Sequence, residues 1–266
     1  MTMPNVNLPE MKHIEEAIGK ALANTTGKLS ENVGITLGDI WYLVFGGLSQ
    51  RAQRRKLRYA HELEAFKTEL ECGLEAIPEE KRIDPAMQVV APALEKARYC
   101  VEESILRGMF SRLIASACNA DTADTVQPSF ADIISTMTPL DAQNLLAFKK
   151  DVAIFPIAQY QLKRSGKGHV VLISDVFLSN PLVQSIERQA VSISSLHRLG
   201  LVQVDYTQNI TDESHYSAFE TEPTYLLYKA RYSPENNPDY SGVEIKQGVV
   251  FLTSFGKSFV SVCLPQ

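Results

Sequence analysis

Local catalytic signatures are what this sequence lacks most. Its 266 residues contain no GxSxG, no HExxH and no GxxxxGK[ST]. Those are the short frames that build a nucleophile elbow, a zinc-binding helix or a phosphate cradle. Cysteine is scarce too: Cys72, Cys100, Cys118 and Cys263 include no CxxC pair and match no zinc spacing. Small buried thiols are the reading they invite. Positive charge is in deficit, with 26 Lys and Arg against 31 Asp and Glu and a net charge of −5. A dedicated nucleic-acid binder carries a basic face, so this balance argues against one. No apolar run reaches the ~20 residues that a helix needs to cross a bilayer. The opening MTMPNVNLPEMKH has no apolar stretch of the secretory kind, and the expected compartment is the cytoplasm.

What is present is helical periodicity. Met11, Ile14, Ile18 and Leu22 recur at steps of three and four, as do Leu63, Phe66, Leu70 and Leu74. Asp84-Pro85 reads as an N-cap and first helical residue, and Pro92 as a split or kink. From about Leu94 to Ala120 the apolar face is broad, with Val101, Met109, Phe110, Leu113 and Ile114. Residues 1–120 therefore read as all-α. The polar DTADTVQP at 121–128 is the expected domain boundary.

The second half alternates. Ser129-Phe130 opens one helix, and Thr138 caps another that starts at Pro139, with Asp141 at its positive end. Residues 151–175 are β-rich or short-helical, with SGKGH as a turn between strands. Asn180-Pro181 begins a helix whose stripe is Val183, Ile186, Ala190, Ile193 and Leu196. Gly200 sits where a helix needs its left-handed C′ residue. LVQVDY and GVVFLT read as strands and SFGKSFVSVCL as a closing helix or strand. Between the two strands, residues 208–247 form a long polar insertion with one helical piece, YLLYKARY. The order of helix, strand, loop, strand and closing element is winged-helix-like. The expected fold is mainly α: an N-terminal helical domain over 1–120, then a winged-helix-like α+β domain over 121–266.

Two stretches are candidates for function. Residues 33–48, VGITLGDIWYLVFGGL, are apolar and followed by QRAQRRKLR. Trp41 and Tyr42 suit a membrane interface, and Arg51, Arg54, Arg55, Lys56 and Arg58 suit an anionic leaflet or a protein partner. The same run also suits a buried helix or an oligomer interface, with the basic residues paired to Glu62 and Glu64. The second candidate is the 182–199 helix, whose Arg188, His197 and Arg198 could face DNA. Residues 121–266 hold 11 basic and 15 acidic residues, and the position of a wing carries Asp205, Asp212, Glu213, Glu220, Glu222, Glu235, Asp239 and Glu244. Phosphate contacts supply most non-specific affinity, so nucleic acid is a disfavoured partner.

Several pieces resemble one family. Glu102-Glu103 precede "SRLIASACNADTADTVQPSFADIISTMTPLDAQNLLAF", and the chain closes with "SLHRLGLVQV" and "FLTSFGKSFVSVCL". In order and spacing these resemble the abortive infection alpha family of bacterial proteins, over roughly residues 50–266. The resemblance implies phage defence by abortive infection and brings no catalytic residue, metal or cofactor. A non-enzymatic protein that binds a protein partner or self-associates is the expectation. A membrane-perturbing effector and a DNA-binding regulator are the alternatives. A hydrolase or nuclease has no motif to carry it, and no small-molecule substrate is indicated.

Overall fold

The computed structural model describes residues 40–41, 44–45, 53–148, 154–166, 168–182, 185–235, 237 and 239–265, with side chains in the first helix from Arg58 onward. The expected helix at 9–25 lies outside these residues. Contacts divide the chain into two compact units, one ending at Ser135 and one running from Thr136 to Leu264.

The first unit is helical, with α1 (Gln53–Glu75), α2 (Met87–Ala97), α3 (Ser104–Ala117) and α4 (Phe130–Thr136). Leu63, Phe66, Leu70 and Leu74 of α1 are buried, as their spacing predicts. They face Leu106, Met109, Phe110 and Leu113 of α3 in a unit where α1 packs on α3. A Cβ at Gly73 would lie 3.1 Å from the Ala115 side chain, so glycine lets the two helices approach closely. Arg107 locks the pair. Its buried guanidinium donates to Glu69 Oε1 at 2.8 and 3.0 Å and also to Glu62. A buried charge needs such partners.

Three helix boundaries differ from expectation in this unit. The α2 helix starts at Met87, not at Asp84-Pro85. Residues just before it are held extended, because Arg82 bridges to Asn119 and the Ile83 amide donates to the Cys118 carbonyl at 3.0 Å. Pro92 lies inside α2 without splitting it. The helix expected from Leu94 to Ala120 is broken at 98–103, where Val101 turns into the core and its carbonyl accepts from Arg107 at 3.0 Å. The cysteine expectation also divides: Cys118 and Cys263 are buried, Cys100 is half-buried and Cys72 is exposed. Burial pushes the Cys118 thiol up to about 12 and raises Cys263 as well.

The second unit contains α5 (Pro139–Ala147), β1 (Phe155–Arg164), β2 (His169–Val176), α6 (Ile186–Arg198), β3 (Val202–Asp205), α7 (Ser217–Glu220), α8 (Pro223–Arg231), β4 (Tyr240–Leu252) and α9 (Ser254–Cys263). Its sheet is antiparallel in the order β2-β1-β4-β3. Thr138 caps α5 as predicted, and the contact is a reciprocal capping box: Thr138 Oγ1 accepts from the Asp141 amide at 3.2 Å, and the Asp141 carboxylate accepts from the Thr138 amide at 2.7 Å. Residues 165–168 turn β1 into β2, with the Arg164 amide donating to the Gly168 carbonyl at 3.1 Å.

The polar segment after β3 is not a solvated insertion. Its end, from Tyr240, is the first half of β4, where Val243 pairs with Leu162 and Glu244 with Gln161. Val243 is buried while Glu244 and Lys246 are exposed, the period of a half-buried strand. Its start folds onto the same core. The Tyr216 hydroxyl donates to the Gly248 carbonyl at 2.8 Å and the Tyr160 hydroxyl to the Phe219 carbonyl at 3.2 Å. Tyr160, Tyr216, Phe219 and Tyr225 join Ala158, Leu162, Val176, Ile186 and Val243 in that core. Each ring brings a large apolar area, and each of the three tyrosine hydroxyls finds a carbonyl.

Candidate functional site

The α6 helix combines a buried face, fixed by unusual polar bonding, with an uncovered outer face. Its inner stripe is Ile186, Ala190, Ile193 and Leu196, all buried as predicted. It begins five residues later than the expected Asn180-Pro181 start, with Ser185 as N-cap accepting from the Arg188 amide at 3.4 Å. Asn180 is committed elsewhere. Its side chain is buried, donates to Asn144 Oδ1 at 2.7 Å and accepts from the Leu182 amide at 3.1 Å. Val183 lies outside the described residues.

The C-terminus of α6 closes as its glycine predicts. Gly200 has φ +74°, a conformation that glycine adopts without penalty. The Leu201 amide donates to the Leu196 carbonyl at 3.0 Å and the Gly200 amide to the His197 carbonyl at 2.9 Å. This is the double closure of a Schellman motif, with Leu196 and Leu201 both fully buried. The joint then docks on the start of α9. Thr253 Oγ1 donates to the Gly200 carbonyl at 2.6 Å, the Thr253 amide donates to the Leu201 carbonyl at 3.1 Å, and the Gly256 amide donates to Thr253 Oγ1 at 2.8 Å. A Cβ at Gly256 would fall 1.9 Å from the Leu201 carbonyl oxygen. The segments SLHRLGL and LTSFGKSF, read as separate pieces in the sequence, thus form one contact.

A polar seam joins α6 to α5. Ser192 Oγ donates to Asp141 Oδ1 at 2.6 Å and accepts from Asn144 Nδ2 at 2.9 Å. Gln189 Nε2 donates to the Asn180 carbonyl at 3.1 Å. Asp141, Asn144, Asn180, Gln189 and Ser192 are all buried. Buried polar groups need partners, and here they supply most of one another's, with Gln189 Oε1 left without one. The Ser192 hydroxyl is enclosed and engaged on both sides, so it serves structure and not nucleophilic attack. Of these five, sequence reasoning singles out only Asp141 and Asn180, each as a helix-end residue and neither as a member of a seam. The available signal was Gln189 and Ser192 beside the apolar stripe, where a polar residue implies a buried partner.

A second cluster ties α6 to the sheet. Asp175 has φ 56°, uncommon for a side-chain-bearing residue. Its carboxylate accepts from Ser194 Oγ at 2.5 Å and from the Tyr206 hydroxyl at 3.0 Å, and its amide donates to the Tyr206 oxygen at 2.8 Å. Burial, together with this carboxylate, raises the Tyr206 phenol above its ordinary range. The Tyr206 ring lies over Gly248, where a Cβ would come within 2.6 Å.

Outward, Arg188, His197 and Arg198 are exposed. Val191 is 71% exposed on the side it shares with Arg188 and Arg198, at helical spacings of three and seven. The three residues considered for DNA are therefore on the surface, but an apolar side chain stands among them.

The apolar and basic stretch of the first unit has a different placement. Trp41 is only 7% exposed, with its ring 5.4 Å from that of Phe66 and 4.6 Å from that of Phe45. Tyr42 and Arg51 lie outside the described residues. Arg54, Arg55 and Lys56 lie on the first turns of α1 with their side chains outside that description, and Arg58 is exposed. Glu62, expected to pair with this basic run, gives its carboxylate to Arg107. Asp212, one of the acids at the position of a wing, caps the short turn Glu213–Tyr216 by accepting from the Ser214 amide at 3.0 Å. The Ser214 side chain and then its amide hold the Asp212 carboxyl below the usual range. Among the described residues, no group of three or more His, Cys, Asp and Glu is placed to hold a metal ion, and no helix is long and apolar enough to cross a membrane.

No curated protein matches the chain. Among solved structures, an uncharacterized protein from the hydrocarbon-degrading marine bacterium Alcanivorax borkumensis SK2 is 17% identical, with 54% of this chain and 96% of that one covered. Its TM-score of 0.33 is too low to bear on the fold. The profile of the abortive infection alpha family matches residues 58–263, from the first helical turns of α1 to the end of α9, and the chain belongs to that family.

Proposed function

We propose that this is a cytoplasmic phage-defence protein of the abortive-infection kind, which acts by protein contact and assembly and not by catalysis. Family membership supports the defence role. The observation that carries the mode of action is α6: capped at both ends, bonded inward through Ser192 and Ser194, and presenting Val191 between Arg188 and Arg198. An apolar anchor with an arginine rim is the composition of a protein interface. The test is a phage panel on bacteria with and without the gene. Survival of the culture at low phage dose and collapse without phage release at high dose is the expected result. Equal phage yield on both strains across the panel overturns the defence role.

The winged-helix reading draws support from the order α6, β3, β4 and α9, with β1 beside β4 as a third strand. A DNA-binding regulator would follow from it. Against that stands the acidic β3–β4 connection, in which Asp212, Glu213, Glu220, Glu235 and Asp239 are exposed. A duplex shift at low salt that disappears in the Arg188→Ala/Arg198→Ala double variant would establish the regulator in place of the protein-contact reading. The membrane reading loses its tryptophan, because Trp41 packs on Phe66. Liposome flotation that depends on Arg51, Arg54 and Arg55 would restore it.

A further inference from the structure

The two edges of the sheet are unequally defended. At one edge, β3 is four residues long and includes Gln203 and Asp205. The Asp205 carboxylate accepts from the Thr207 and Gln208 side chains, which close the strand. Short strands and charge are the usual protection of a sheet edge. At the other edge, β2 opens with His169-Val170-Val171-Leu172-Ile173, which contains no proline, glycine, lysine, arginine or acid. These are strong strand formers without a gatekeeping charge.

The outer side of β2 is unpaired among the described residues. Val170 is 36% and Val171 46% exposed. Consecutive strand residues point to opposite faces, so the strand is apolar and uncovered on both faces at this end. The hydrogen-bonding phase can also be read. Gly168 accepts from Arg164, and Val170 lies opposite Leu162. In an antiparallel ladder, bonded residues alternate. Gly168 and Val170 thus turn their backbone groups toward β1, and His169 and Val171 turn theirs outward. This phase holds only as far as Val171: beyond it the β1–β2 register is irregular at two places between Val171 and Val176, and the strand is closed by the left-handed Asp175 and its bonds to Ser194 and Tyr206, so the open edge is the short stretch that ends at Val171.

We infer that β2 is an assembly edge, on which a second copy of this chain adds its own β2 antiparallel and continues the sheet. The inference rests on the assembly reading above and names its surface. Self-pairing is favoured because the segment complements itself. The pairing is confined to the regular start of the strand, before the irregularity at Leu172: with Val171 opposite its copy, Val170 meets Leu172, so no like charges face each other and the apolar side chains align. The pairing is isologous, so it uses up both open edges and stops at a dimer, leaving the two protected β3 edges outside.

The test is sedimentation of the full-length protein across a wide concentration range. Wild type is expected to dimerise. Val171→Lys puts two ammonium groups face to face and is expected to weaken the dimer at least about tenfold. His169→Pro deletes an outward N–H, which the β1 ladder does not use, and is expected to weaken it similarly. Gln203→Lys on the opposite edge is expected to change nothing. Far-UV circular dichroism and melting identify which variants are folded, and either folded β2 variant decides. Dimers that persist unchanged in a folded β2 variant overturn the edge and leave assembly by another surface standing. A wild-type chain that protects bacteria yet sediments as a monomer throughout overturns the edge and leaves the defence role intact.

Discussion

Two glycines a few ångströms apart along the α6–α9 joint do opposite jobs. Gly200 supplies a backbone angle, with open space where a Cβ would go. Gly256 supplies space, because a Cβ there would overlap the Leu201 carbonyl. Gly200→Ala is expected to cost about 1 kcal/mol, the strain of a left-handed alanine. Gly256→Ala is expected to cost about 3 kcal/mol or more, because backbone must move. Urea denaturation of the two variants checks the order, and equal losses would contradict it. Tyr160 and Tyr206 give a pH prediction. Burial raises both phenols above the ordinary tyrosine value of about 10. The folded chain keeps these protons after the unfolded chain has lost them. Their stabilisation is therefore complete below about pH 10 and is lost as pH climbs through the raised folded values. Absorbance titration at alkaline pH is expected to leave part of the ten tyrosines un-ionised until unfolding, and Tyr160→Phe is expected to soften the alkaline loss.

At the scale of elements, polar bonding decides where α6 sits. Asn144→Ala removes the donor to Ser192 and the acceptor for Asn180 in one step. Leaving buried partners unmatched costs about 1–3 kcal/mol each, so the melting temperature is expected to drop by several degrees. An unchanged melting temperature would mean that the seam contributes little. The legibility of each element followed from how local its cause is. The Thr138 cap, the Gly200 closure and the α1 stripe are written within a few residues, and all three form as read. The late starts of α2 and α6 were not legible, because their causes are distant. Asn119 and Cys118 hold the chain before α2 extended, and Asn144 captures Asn180 before α6. The first half of β4 was hidden for another reason: Glu244, Lys246 and Gln247 make it look like solvated loop, and its alternation has meaning only beside β1. The polar seam was least visible, since its members come from three separate stretches of chain.

For the molecule as a whole, charge and burial narrow the partner. In the proposed reading the acidic connection after β3 counts against a phosphate backbone as the partner. The packing of Trp41 withdraws from the membrane the residue best suited to it. Outward on α6 stand Val191 with Arg188 and Arg198 at helical spacing, beside the exposed Glu187, Ser194 and His197. In the proposed mode of action this face, held rigid from behind, contacts a protein during defence. Phage protection by a folded Arg188→Ala/Val191→Glu/Arg198→Ala variant tests it most directly. Truncating hot-spot residues at a protein interface commonly costs about 2 kcal/mol or more each, so protection is expected to disappear while melting stays at the wild-type value. Full protection by that folded variant would contradict the claim.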